Sequence, residues 1–207
     1  MARNDERRFA LADAGIRVLA QEGARGLTHR AVDAAAGTPR GTASNYFPPR
    51  DDLISALVDR IGERLTPDPE IVPSHGARSP DRALFADYLR DVVRRLSDDP
   101  HVSLALFELR LEAARRPAIA STLGAWRQRA FQEDVAFNDA SGLPGGRTEI
   151  ALFHYAIDGL MLDHLTAPLD TGLSVDAAIH ELVDRILQSS RSQPRRARVD
   201  NLLGSST

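Results

Sequence analysis

The chain has no cysteine, which rules out a disulfide framework, a thiolate zinc site and a cysteine nucleophile together. A reducing compartment fits that absence, and the cytoplasm is the expected location. Lysine is missing too. All 26 basic side chains are arginine, and so uniform a preference reads first as genome composition. Aromatic residues make up only 5%, and β-branched runs are few beside abundant alanine and leucine, so helix is favoured over sheet. No apolar run is long enough to cross a bilayer. Asp13 and Arg17 interrupt the stretch after the charged N-terminus, so no signal-peptide core forms there. Glycine-rich phosphate loops, nucleophile elbows and paired Glu-x-x-His segments are also lacking, and neither a cofactor nor a metal is expected.

What is present is uneven. The 207 residues are enough for a small unit joined to a larger one, and the net charge of −3 is not shared between them. Residues 1–50 hold eight arginines against five acids, a net of +3, which leaves −6 for the remainder. A basic head on an acidic body suits a protein that meets a polyanion with one end.

Apolar spacing divides the head into short helices. Phe9, Ala12, Ile16, Leu19 and Ala20 form one stripe from about Asp5 to Gly23, where glycine stops the helix. Thr28 is placed to cap a second helix through Ala31, Val32 and Ala35, which ends at Gly37. Thr38 reads as the next cap, with Pro39 at a tolerated first position and a brief helix up to Tyr46 before Phe47-Pro48-Pro49. Two short helices joined at a glycine make a helix-turn-helix pattern. Asp51 and Asp52 then open a longer helix to about Leu65, with Leu53, Leu57, Val58 and Ile61 facing inward. Residues 1–50 are thus read as the head, 51–65 as a connecting helix and the proline-rich 66–80 as a linker. A helical body follows over 81–190, with helices expected at about 81–97, 101–115, 117–138, 147–167 and 174–190. Residues 191–207 read as a disordered tail.

The residues Asp13-Ala14-Gly15-Ile16, Gly23, Thr28, Val32, Ala36-Gly37 and the run from Gly41 through Asn45-Tyr46-Phe47 to Arg50-Asp51-Asp52-Leu53 together resemble the TetR family of transcriptional regulators. The resemblance implies an all-α homodimer. It would bind double-stranded operator DNA through the head, carry a ligand-binding and dimerisation domain behind it, and most often act as a repressor released by a small organic inducer. It also implies that the last two long helices form a four-helix bundle with a partner, a role that the apolar stripe Ala178, Leu182, Val183, Ile186 and Leu187 can serve. The chain departs from many relatives in having Ala43-Ser44 where they carry Leu-Tyr, and Thr38 where they carry a hydrophobic residue. Ser44 lacks the aromatic that commonly touches DNA there, so contact at that point is shorter or runs through water.

Chemistry assigns roles within the head. Arg40 can hold guanine O6 and N7 bidentately, Asn45 can pair with adenine N6 and N7, and Ser44 can bond more permissively, while Gly41 lets the backbone come close. Thr28, Thr42, Tyr46 and Arg50 are the expected phosphate contacts, assisted by Arg30 and His29. In the body, Tyr88, Phe107, Leu111, Trp126, His154, Asp158 and Met161 are the expected effector-binding residues, because polar handles on apolar faces need partners. Two other readings compete with the regulator: a helical metal-dependent enzyme built on His154 and Asp158, one helical turn apart, with His164, or an interaction protein that no longer binds DNA.

Overall fold

The computed structural model describes residues 2–67 and 78–189, and within them it has nine helices and no strand. The expected tail at 191–207 and most of the expected linker lie outside the described residues. In the head, α1 (Ala2–Gly26), α2 (His29–Ala35), α3 (Thr42–Tyr46) and α4 (Arg50–Leu65) follow the predicted order. The body comprises α5 (Arg82–Asp98), α6 (Pro100–Ala113), α7 (Pro117–Ser141), α8 (Arg147–Leu165) and α9 (Val175–Ser189). Local chemistry sets several of their ends. Thr28 caps α2 by accepting the Ala31 N–H, Asp81 caps α5 through the Leu84 N–H, and Asp99 caps α6 through the His101 N–H. Prolines open α6 and α7, where a missing N–H is harmless.

Two expectations about the head change. Helix α1 runs three residues past Gly23, which sits inside it with φ 68° and ψ −177°, so the axis breaks there and the helical ladder is interrupted. The carboxylate of Glu108, on α6, accepts the Ala24 N–H at 3.1 Å beside this break. Thr38 does not cap the next helix. Its hydroxyl turns back to the carbonyl and carboxylate of Asp33, and α3 begins four residues later at Thr42.

The core lies in two parts that do not follow the chain order. The first joins Leu11, Ile16, Leu19, Val32, Phe47, Leu53, Leu57 and Ile61 of the head with Val102, Ala105 and Leu109 of α6 and Ile119 and Leu123 of α7. The inward residues of α4 are therefore shielded as the apolar spacing requires, whereas Phe9 is 41% exposed and lies beneath the Arg60 guanidinium. Helices α1 and α4 pack closely at Gly15, where an added Cβ would come within 2.8 Å of a Leu57 methyl and the buried leucine would have to shift. The second core gathers α5, α8, α9 and the later part of α7 around Phe85, Phe153, Ile157, Met161, Ile179 and Val183.

Charges tie the two parts together. Asp13 of α1 accepts from Arg60 through two bonds of 2.9 and 3.0 Å and also meets Arg64, whose other nitrogen reaches Asp99 at 2.6 Å. The outer face of α8 carries Leu152, Tyr155 and Leu162, all exposed at helical spacing.

Candidate nucleic-acid interface

The turn between α2 and α3 is built around a buried carboxylate. Asp33, only 3% exposed, accepts the Gly41 and Ala43 N–H groups at 2.7 Å each and the Thr38 hydroxyl at 3.3 Å. It thereby satisfies donors that a five-residue helix leaves free at its start, and it fixes α3 relative to α2. Gly41 takes φ 93°, a left-handed geometry that any other residue would adopt only under strain. At the far end of α3, His29 Nε2 lies 2.6 Å from the Phe47 carbonyl, and Arg8 stacks its guanidinium over the buried Phe47 ring at 4.6 Å. The sequence reading did not single out Asp33 or Arg8. An acid in a short helix just before a glycine turn is a signal for Asp33, but Arg8 meets its partners from 38 residues away and leaves no local trace.

On the outer side the picture divides. Thr28, Arg30, Arg40 and Asn45 are exposed, and no hydrogen bond or ion pair engages the side chains of Arg30, Arg40 or Asn45 among the described residues. Tyr46 is partly buried against the first core. The hydroxyls of Thr42 and Ser44 donate inward to the Pro39 and Gly41 carbonyls at 2.6 and 3.0 Å, so their protons are already committed. Arg50 is a correction. Its guanidinium turns inward and donates to the carbonyls of Leu27 and Ala24, bracing the end of α1 against the start of α4, and so does not face outward as a phosphate donor.

The effector residues expected in the body do not all gather at one place. Tyr88, packed edge-on against Phe137, and Phe107 and Met161 belong to the second core. Leu111 is 57% exposed and points away from that core, while Trp126 packs with the first core against α4. His154 pairs with Asp134 at 2.9 Å and meets the Phe131 ring edge-on. Asp158 sits between two arginines, 2.8 Å from Arg110 and 3.0 Å from Arg127. The partners that His154 and Asp158 were expected to seek from a ligand are thus supplied by the protein. Among the described residues no three His, Cys, Asp or Glu side chains gather to hold a metal, and no helix is long and apolar enough to cross a membrane.

A helix-turn-helix with unpaired polar side chains on its outer face, packed onto a larger helical body, defines a DNA-binding transcriptional regulator. Residues 11–57 match the family model for bacterial regulatory proteins of the tetR family, and residues 80–189 match that for a tetracyclin repressor-like C-terminal domain. A TetR-family member from Streptomyces coelicolor A3 is 28% identical, with a TM-score of 0.66 over 88% of this chain and 98% of that one. A transcriptional regulator from Rhodococcus sp. Rha1 is 25% identical, with a TM-score of 0.67 over 88% of this chain and 96% of that one. The multidrug binding protein EbrR, complexed with imidazole, is 28% identical with a TM-score of 0.62, covering 87% of this chain and 94% of its own. No curated protein matches the chain. The chain belongs to the TetR family, with a DNA-binding head and a ligand-binding C-terminal domain.

Proposed function

We propose that the protein is a homodimeric repressor that reads a palindromic operator and is released from it by a small organic molecule. The observation that carries this reading is the pair Arg40 and Asn45. Both are exposed and, among the described residues, unpaired, Arg40 just ahead of a recognition helix whose geometry Asp33 holds and Asn45 on it, and their side chains can read guanine and adenine in the major groove. Thr28, Arg30, Thr42, Ser44 and Tyr46 flank them as the remaining contacts. Because Thr42 and Ser44 already donate to backbone, they serve the DNA as acceptors or through water.

Dimerisation is the second element of the proposal. One five-residue helix reads few bases, and a two-fold partner doubles the contact with a half-site spacing of roughly 34–36 Å. The exposed Leu152, Tyr155 and Leu162 on α8, with Ala178, Leu182 and Ile186 only partly covered on neighbouring α9, offer the apolar face that such a partner would bury. Release by an organic molecule is supported by EbrR, solved with imidazole, proflavin, ethidium and malachite green. The bacterial cytoplasm, where operator DNA lies, is the proposed site of action.

The test is selection from random duplexes with the full chain, run beside light scattering. A palindromic consensus bound by a dimer is the expected result. Uniform retention of all sequences, or a monomer at micromolar concentration, would overturn the reading.

A further inference from the structure

Three helices of the body bring one mixed cluster of charge and aromatic surface together. Helix α6 supplies Phe107 and Arg110, α7 supplies Arg127 and Phe131, and α8 supplies His154 and Asp158 one turn apart. A single carboxylate is held by two guanidiniums, Arg110 Nη1 on Oδ1 at 2.8 Å and Arg127 Nη2 on Oδ2 at 3.0 Å. Arg127 donates one hydrogen bond to Asp158 and Arg110 meets it as an ion pair, although a guanidinium has five N–H donors and binds carboxylates best through a two-bond fork. The cluster therefore carries one positive charge and donors to spare.

Its neighbours do not cancel that charge. Asp134, 2.9 Å from His154, is offset by Arg147, whose guanidinium lies over the Phe131 ring at 4.8 Å. The three clustered side chains are 31%, 28% and 31% exposed, open enough for a solute to reach and for water to hold the internal pairs loosely. Phe107 and Phe131, both partly buried in the second core, lie beside the charges, Phe107 under Arg110 and Phe131 against His154.

We propose that the Arg110–Asp158–Arg127 cluster is the recognition point for a small aromatic carboxylate, whose charged group takes up the arginine donors held or left over by Asp158 while its ring packs beside Phe107 and Phe131. This rests on reading the body as the effector-binding part of the regulator. It also sets the chain apart from EbrR, whose solved complexes include the cationic dyes ethidium and proflavin: a net positive cluster repels such ligands and attracts their opposites.

Calorimetry on the full chain with 1-naphthoate, and with proflavin as the cationic comparison, tests the inference. Naphthoate binds the parent protein more tightly than proflavin does. The substitution Asp158→Asn, nearly the same shape, removes the competing internal carboxylate and tightens naphthoate about tenfold, whereas Arg127→Gln weakens it by about tenfold or more. Should Arg127→Gln fail to fold by circular dichroism, Asp158→Asn still decides. Tighter binding of proflavin than of naphthoate, or an unchanged naphthoate affinity in Asp158→Asn, overturns the proposal. Release of the selected duplex separates the two levels. Proflavin freeing the DNA where naphthoate does not leaves the effector reading standing and the carboxylate assignment refuted. If neither these probes nor a panel of neutral and cationic organic compounds frees the DNA, both readings fall.

Discussion

Three residues of the head have separable consequences. Among the described residues Arg40 has no partner, so Arg40→Ala leaves stability untouched while relaxing base preference and costing about 1–3 kcal/mol of operator binding. A selection from random duplexes that returned the parent consensus would contradict this. Arg50 behaves differently because both of its terminal nitrogens donate inward, to Leu27 and Ala24. Arg50→Ala strands two partly buried carbonyls, so it lowers folding stability by about 1–3 kcal/mol and leaves the salt dependence of DNA binding as it was. Thermal melts and a salt titration read the two effects independently. Asp33→Ala removes the acceptor for two N–H groups at the start of α3, one of them fully buried, and weakens operator binding through misplacement of the helix although Asp33 is itself shielded from solvent. The exposure of Arg40 was legible because it sits at the turn of a helix-turn-helix, ahead of the short second helix. The inward turn of Arg50 was not, since its acceptors lie 26 and 23 residues earlier and only folding brings them near.

Helices were the most legible level, because the period of apolar residues and the residues at their ends act locally. The boundaries of α4 and the five body helices follow the expected ranges closely, and Thr28 caps α2 as its position suggested. The start of α3 was misread because Thr38 and Pro39 imitate a helix opening, while the actual opening is organised by Asp33 from the preceding helix. Within α5, burial raises the Asp91 carboxyl, but the hydrogen bonds from Arg94 and Arg95 outweigh it and hold the group below the usual carboxylate range. Such a lowered group stabilises the fold above about pH 4, where the unfolded carboxylate is also ionised, and the contribution is lost as pH falls through the folded value. Asp91→Asn therefore melts lower than the parent at neutral pH, by about 1 kcal/mol, and the difference closes in strong acid. A melting series across pH reads this directly; a gap that widened on acidification would reverse the sign of the argument. On α8, Leu152→Glu and Leu162→Glu place charges on the exposed stripe. Light scattering is expected to show the proposed dimer dissociating while circular dichroism keeps its helical signal.

At the scale of the molecule, the linear division into head and body does not describe the packing. Helix α6 faces two ways, with Val102, Ala105 and Leu109 in the first core and Phe107 against the second. Glu108 holds the Ala24 N–H at the break in α1, and the Ala24 carbonyl in turn accepts from Arg50 at the start of α4. A shift of α6 is thus felt at the end of α1 and at the helix that follows α3. Glu108→Gln keeps the shape but weakens the charge-assisted bond to Ala24, and hydrogen exchange at Ala24 is expected to rise without global unfolding. None of this was readable from sequence, because the contacts span 84 and 26 residues and depend on a break in α1 that apolar spacing treats as an end.

Trp126 is the only tryptophan in the chain, and it packs where α7 meets α4, so close to Gly62 that a Cβ there would fall 2.5 Å from its indole nitrogen. Every photon of indole emission therefore originates at the seam between the DNA-reading part and the rest. The molecule carries its own optical gauge: an effector that moved one part against the other is expected to change the colour and lifetime of that emission without any label, and a stopped-flow trace would time the switch itself.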